Sequence, residues 1–519
     1  MRLRRSGGVM KARLQNFFST VNPTVFTISG SVVLAFLLFG ATMPETASAA
    51  FSALHAFITE YLGWSYLVAV TGFLAFLIWL AFSRYGSVRL GMPDDRPEFG
   101  FLAWFAMLFS AGMGIGLVFW SVAEPILHFQ SPPSGEGGTP EAARQAMVYT
   151  FFHWGLHAWA VYVVLGVSVA YFSFRHGLPL TIRSIFYPML GDRIYGPIGH
   201  AIDILAVFGT LFGLATSLGF GALQLNTGLN LLIGLPVAPG YQVGIIACIT
   251  GVAVMSVISG LGRGLKWLSV FNLVLALVVL AFVLIAGPTL FILRFLLDAT
   301  GEYFQQLIAL SLRADAFNSS AWQKEWTMFY WAWWIAWSPF VGIFIARISR
   351  GRTIRQFIGG VLAMPSLFVF FWMATFGGTA LDLQLSGAAD IASAVAADTT
   401  VALYVTLEQL PLATISSGLA TLLIATYFIT SSDSGTHVVD ALISRGSKRS
   451  PRRQRVIWGL TEGAVAATLL LVGGQQALDS LQTASITAGL PVAVILLFCC
   501  INLTRALRRE YRVEGVDPS

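Results

Sequence analysis

Residues 104–125 read WFAMLFSAGMGIGLVFWSVAEP, and the fold turns on them. The segment is apolar and long enough to cross a bilayer, yet Gly112, Gly114 and Gly116 alternate in its middle. Each glycine weakens a helix, and three at alternate positions predict an interrupted one. Irregular backbone at membrane depth is tolerated only where it is buried in protein or lines a cavity. Such breaks expose carbonyls to a cation and place a small solute beside them. Small residues that let two helices pack closely are the ordinary alternative. A dinucleotide fingerprint is excluded, because no strand precedes the glycines.

The rest of the chain supports a membrane setting. Of 519 residues, 56% are hydrophobic and only 11% charged, where soluble domains approach a quarter charged. Mean hydropathy is +0.74. A spanning helix needs about 20 apolar residues. Candidate spans lie at 24–43, 62–83, 99–120, 147–174, 197–222, 239–260, 265–293, 326–346, 356–380, 411–431, 455–473 and 484–504. That predicts twelve passes, with both termini on one side. Of 31 Lys and Arg, all but Arg144, Arg294, Arg313 and Lys324 fall on that side. A wrong helix count would scramble this alternation. The positive-inside rule makes the basic face cytoplasmic, so the net charge of +6 reflects orientation in an inner membrane and not nucleic-acid binding. Cys248, Cys499 and Cys500 lie in apolar runs with no ligand spacing. No HExxH, Walker loop or His/Cys cluster points to an enzyme. The longest outward excursion is near 295–325, where YFQQLIALSLRADAF (303–317) predicts an amphipathic surface helix.

Two further stretches carry aromatic chemistry. FHWGLHAWAVY (152–162) places Trp154, Trp159 and Tyr162 within an arc of about 140° on an unbroken helix. WTMFYWAWWIAWSPFVGIFIARISRGRTIRQF (326–357) holds five of the chain's fifteen tryptophans in its first twelve residues. Its Trp331, Trp333, Trp334 and Trp337 fall within about 160°. Trp334 and Trp337 precede Arg347 by about 15–20 Å of helix, too deep for an interfacial belt. Facing π surfaces at that depth suit a cation that cannot donate hydrogen bonds, a quaternary ammonium. LLIATYFITSSDSGTH (422–437) ends an apolar run in hydroxyls. These suit a hard cation or bonds back to the helix. Glu124 reads as the polar end of its span. Glu462 is ionisable within an apolar run, and His153 and His157 suit helix–helix hydrogen bonds. Arg347, Arg350, Arg352 and Arg355 suit gate and loop contacts with carboxylates or anionic lipid.

Taken together, AGMGIGLVFWSVAEP, FHWGLHAWAVY, the tryptophan–arginine stretch and FITSSDSG, with NPTVF at 22–26, resemble the betaine/carnitine/choline transporter family over all twelve spans. The resemblance implies an all-α polytopic membrane protein. Residues 1–23 would be a cytoplasmic N-terminus and 24–98 two extra helices. A five-plus-five inverted repeat would occupy 99–295 and 326–504, joined by 296–325, with a cytoplasmic tail at 505–519. It implies a box for the ammonium head made of Trp154, Trp159, Tyr162 and Trp334. Trp333 and Trp337 would line the path, and Gly112, Gly114 and Gly116 would face the substrate. A sodium ion would take the carbonyls of Ser110, Met113 and Tyr427 and the hydroxyls of Thr430 and Ser431. A second sodium site would use Thr210, but its next hydroxyl is replaced by Leu214. Proton-coupled choline types carry Asp where this chain has Gly116, which favours sodium symport of a zwitterion such as glycine betaine. The alternative is a proton-coupled choline importer, or an importer of carnitine or dimethylsulfoniopropionate. No cofactor beyond the coupling ion is implied. Expected partners are the small solute, lipid and two further copies in a homotrimer. The short tail predicts weak osmotic stimulation.

Overall fold

The structure is a computed structural model that describes residues 20–112, 114–259, 262–316, 321–444, 446 and 450–513. It is helical, with no strand among the described residues; one isolated bridge joins Arg89 to Thr353. The long helices are α1 (Pro23–Thr42), α2 (Pro44–Phe82), α3 (Phe101–Gly112), α4 (Ile115–Gln130), α5 (Pro140–Trp154), α6 (Leu156–Ala170), α7 (Pro197–Ile233) and α8 (Pro239–Ser259). They continue as α9 (Gly262–Ala286), α10 (Thr289–Ser311), α11 (Phe329–Arg347), α12 (Ile354–Leu385), α13 (Ala413–Ile443), α14 (Arg452–Gly473) and α15 (Ala477–Val513). Eleven spans among the described residues are long and apolar enough to cross a membrane.

The difference from the twelve expected spans lies at 99–120. That segment is not one helix. It is α3 and α4, of 12 and 16 residues, each too short to count alone. Gly114 between them is extended, at φ −147° and ψ 179°, so the glycine alternation does interrupt the helix. A second break was not foreseen. The span expected at 147–174 stops at Trp154 and restarts at Leu156 about Gly155, which sits at φ −90° and ψ −133°. A Cβ on Gly155 would meet Phe370 of α12 at 2.7 Å, so the kink is packed in place. The arc drawn for Trp154, Trp159 and Tyr162 on one helix therefore does not apply. Nor does α13 end at Ser431. It runs through the hydroxyls to Ile443, and Thr430, the first of them, bonds back to the helix carbonyl of Thr426. The amphipathic helix is present as α10, packed on α5 and α12, with Tyr303 buried against Phe370.

Helix α11 sits at the centre. It packs on α6, α7 and α15. A Cβ at Gly213 of α7 would lie 3.2 Å from the α11 backbone, and one at Gly489 of α15 would lie 2.7 Å from the Ala332 carbonyl. Those two glycines let three helices approach closely enough to surround the tryptophans. On the basic side, loop residues 88–90 bond to 351–354. There the Arg352 guanidinium lies 3.8 Å from the Trp104 ring centroid. Arg350 pairs with Asp95 at 3.2 Å, whereas Arg355 donates to the carbonyl of Ala81 at 2.7 Å. Of the expected carboxylate contacts of these loop arginines, only that of Arg350 is present among the described residues.

Candidate functional site

The broken segment and the tryptophan helix meet. A Cβ on Gly116 would fall 2.4 Å from the Trp333 ring, and one on Gly114 would lie 3.5 Å from that of Trp337. Glycine is thus what lets the indoles of α11 lie directly on the start of α4. On the other side stand Trp154, at the end of α5, and Trp159 and Tyr162 of α6. The Gly155 kink turns both segments toward α11. Trp333 and Trp334 stack at 4.7 Å and 16°, while Trp154 meets Trp334 edge-on at 4.9 Å. Tyr162 is edge-on to Trp159 at 5.5 Å and to Trp337 at 6.5 Å.

The six aromatic residues that the resemblance implied, Trp154, Trp159, Tyr162, Trp333, Trp334 and Trp337, line one cavity of about 30 Å³ together with Gly114 and Gly116, whereas Trp331 stacks on His157 instead. No charged side chain lines it. Ser217, Val369, Leu117 and Ala158 complete the wall. Sequence reasoning missed them because nothing in their type or spacing separates them from ordinary packing residues.

Behind the box lies a buried network. Glu124, expected at a polar helix end, is fully buried. Its Oε2 accepts the Trp154 indole N–H at 2.7 Å and the Tyr330 hydroxyl at 2.5 Å. Its Oε1 meets His153 Nδ1 at 2.7 Å and His128 Nε2 at 3.2 Å. The other His153 nitrogen, Nε2, pairs with the Thr327 hydroxyl at 3.0 Å, and the His153 carbonyl accepts the Trp334 indole N–H at 2.8 Å. Two box indoles are therefore fixed by one carboxylate and its histidine. A carboxylate that accepts an indole N–H also adds negative potential to the ring that faces the cavity. His157 bonds to Ser311 of α10 at 2.9 Å, a helix–helix role. The indole N–H groups of Trp333 and Trp337 have no partner among the described residues.

The residues expected to bind sodium are only partly in view. Met113 lies outside the described residues, as does the Ser110 side chain. Gly112 ends α3, and its surroundings lie outside the description too. Tyr427, Thr430 and Ser431 lie within continuous helix, and α13 packs against α4. The Thr430 hydroxyl lies 3.1 Å from the Thr426 and Tyr427 carbonyls and accepts from Asn272 at 3.1 Å. The Tyr427 carbonyl, expected as a sodium ligand, is here shared with the Thr430 hydroxyl. At the doubtful second position, Thr210 bonds back to Ala206 at 2.8 Å, and Leu214 packs where a Cβ on Gly435 would stand.

Comparison with known proteins identifies the family. The family model for the betaine/carnitine/choline family transporter fits residues 24–512. A probable glycine betaine transporter of Desulfitobacterium hafniense is 46% identical over 94% of this chain and 98% of its own. The glycine betaine transporter OpuD of Bacillus subtilis is 47% identical over 94% and 95%. The high-affinity choline transport protein of Escherichia coli is 41% identical over 96% and 74%. A membrane-length helical bundle, a broken central helix and an uncharged aromatic cavity are thus joined by near-complete family coverage: the chain is not an enzyme, and it belongs to the betaine/carnitine/choline transporter family.

Proposed function

We propose that this chain imports glycine betaine by sodium symport. The observation that carries the reading is the cavity itself. Six aromatic side chains enclose it and no acid lines it. Ring faces attract a quaternary ammonium that offers no hydrogen-bond donor. A zwitterion brings its own carboxylate, for which the indole N–H groups of Trp333 and Trp337, without a partner among the described residues, are candidate donors. A choline cation offers a neutral hydroxyl in place of that carboxylate, a weaker acceptor for those donors. The names of the two glycine betaine relatives point the same way.

In this reading the protein crosses the inner membrane twelve times, with α3 and α4 as the two halves of the third pass. Both termini are cytoplasmic, and 24–98 precede a five-plus-five inverted repeat at 99–295 and 326–504. Lipid surrounds a homotrimer. Sodium enters as a second substrate, held by the carbonyls of Ser110, Met113 and Tyr427 and the hydroxyls of Thr430 and Ser431. Thr430 would have to release its bonds to the helix for this. The lack of a hydroxyl at Leu214 argues against a matching second site.

Uptake of labelled glycine betaine and choline into proteoliposomes, under an imposed sodium or proton gradient, tests this. Glycine betaine uptake driven by sodium is expected. Choline uptake driven by protons would keep the box and overturn the coupling, and the choline-transporting relative makes that the sharpest competitor. Uptake of neither would shift the substrate to another onium.

A further inference from the structure

A second buried carboxylate stands apart from the box. Glu462 is fully buried in the middle of α14. It accepts the Thr436 hydroxyl at 3.1 Å through Oε2, and its Oε1 has no partner among the described residues. Ser432, one turn before Thr436 on α13, also faces this carboxylate. It is fully buried, and among the described residues its hydroxyl bonds no helix carbonyl. That is unusual for its helix. A buried helical hydroxyl ordinarily bonds the carbonyl one turn back, as Thr421, Thr426 and Thr430 do on α13. Ser432 is turned to the interface instead.

Helix α8 supplies a third hydroxyl. Thr250 is buried and has no hydrogen-bond partner among the described residues. It lies where a Cβ on Gly463, the neighbour of Glu462, would stand, at 2.4 Å. Gly459 and Gly463 bring α14 against Val254 and Thr250 of α8 and Thr436 of α13. Toward the basic side, Asp433 accepts the Ser256 hydroxyl at 2.6 Å and pairs at 3.4 Å with His437, whose side chain is 42% exposed. A carboxylate therefore stands between the buried oxygens and the surface.

The set is all oxygen: the Thr436 and Ser432 hydroxyls face a buried carboxylate, the Thr250 hydroxyl lies against the neighbouring Gly463, and no Lys or Arg side chain meets Glu462 within hydrogen-bond distance among the described residues. A buried charge without a partner is costly. Oxygen-only ligation selects hard cations. We propose that Glu462, Ser432, Thr436 and Thr250 form a cation site for sodium between α8, α13 and α14, with Asp433 at its mouth. This site is separate from the one expected at Thr430 and Ser431, since it draws on α8 and α14. It goes beyond the coupling reading above and does not depend on it.

The test is equilibrium binding of radiolabelled sodium to the purified full-length protein, with potassium as the replacement cation and no onium present. Glu462→Gln and Ser432→Ala are compared with wild type and with Ser431→Ala. Removing the Glu462 charge is expected to weaken the affected sodium component by about tenfold or more, since even an outer-shell partner is worth about that much. Ser432→Ala is expected to act in the same direction, and Ser431→Ala to leave this component in place. Thermal melting and monodisperse elution in detergent check that each variant is folded. If Glu462→Gln fails that check, Ser432→Ala and Thr250→Val carry the test. Wild-type sodium binding in folded Glu462→Gln, with loss only in Ser431→Ala, overturns the inference and leaves sodium coupling intact. Unchanged sodium binding with a lost pH dependence of onium binding makes Glu462 a proton site and also overturns it. No sodium binding in any protein defeats both readings.

Discussion

Glu124 and Glu462 are both fully buried carboxylates in apolar helices, and their surroundings differ in kind. Glu124 has four donor-bearing groups within 3.2 Å, from Trp154, Tyr330, His153 and His128. Glu462 has hydroxyls alone, from Thr436 and the facing Ser432, and its Oε1 has no partner among the described residues. A carboxylate saturated by the protein is a fixed part of the architecture. One left half-satisfied among hydroxyls has valence to give to something that comes and goes. The first holds the box; the second waits on a ligand.

Breaking the first should do the most damage. Glu124→Ala leaves buried donors without an acceptor and is expected to destabilise the protein by about 3–5 kcal/mol, read as a large drop in melting temperature. Glu124→Gln keeps the volume and is expected to retain more of the fold while weakening onium binding, because the charge behind Trp154 is gone. If both variants bind and melt as wild type does, Glu124 is not the anchor of the box.

Trp334→Leu comes next. It removes a ring worth about 2 kcal/mol or more to a desolvated cation, about 30-fold in Kd. Titration of glycine betaine against the purified variant measures it, and unchanged affinity removes the ring from the site. Gly116→Ala follows. Its Cβ would stand 2.4 Å from Trp333, so the indole must shift. A rise in Kd with little change in melting temperature is expected, and a protein indifferent to the methyl group would show that the contact yields freely. Glu462→Gln should matter least to stability. Replacing a poorly satisfied buried charge by its neutral isostere is expected to change unfolding free energy by less than about 1.5 kcal/mol. A loss as large as that of Glu124→Ala would erase the contrast between the two acids.

The sequence carried much of this because its strongest signals are local. Three glycines in one apolar span mark a break wherever the span packs, and α3 and α4 part there. The aromatic residues were nameable because tryptophans at membrane depth have few ordinary uses. The Gly155 kink was not legible, since a single glycine in an apolar helix is common and only the ring of Phe370 shows why this one bends. Glu124 was misread for a related reason. Its partners come from α4, α5 and α11, and no local pattern announces a network assembled across three elements. The end of α13 was set too early because hydroxyls look like a boundary until they are seen bonding their own helix. Cavity residues such as Ser217 and Val369 owe their place to helix packing alone.

The central claim is that the box recognises positive charge and not merely shape. It is tested most directly by measuring Kd for glycine betaine and for 3,3-dimethylbutanoate, in which carbon replaces the ammonium nitrogen. The two have the same carboxylate and nearly the same form. Cation–π recognition predicts that the neutral-headed analogue binds about 30-fold more weakly, the equivalent of about 2 kcal/mol. Equal affinity would contradict the account, because the aromatic cavity would then be a hydrophobic pocket for three methyl groups.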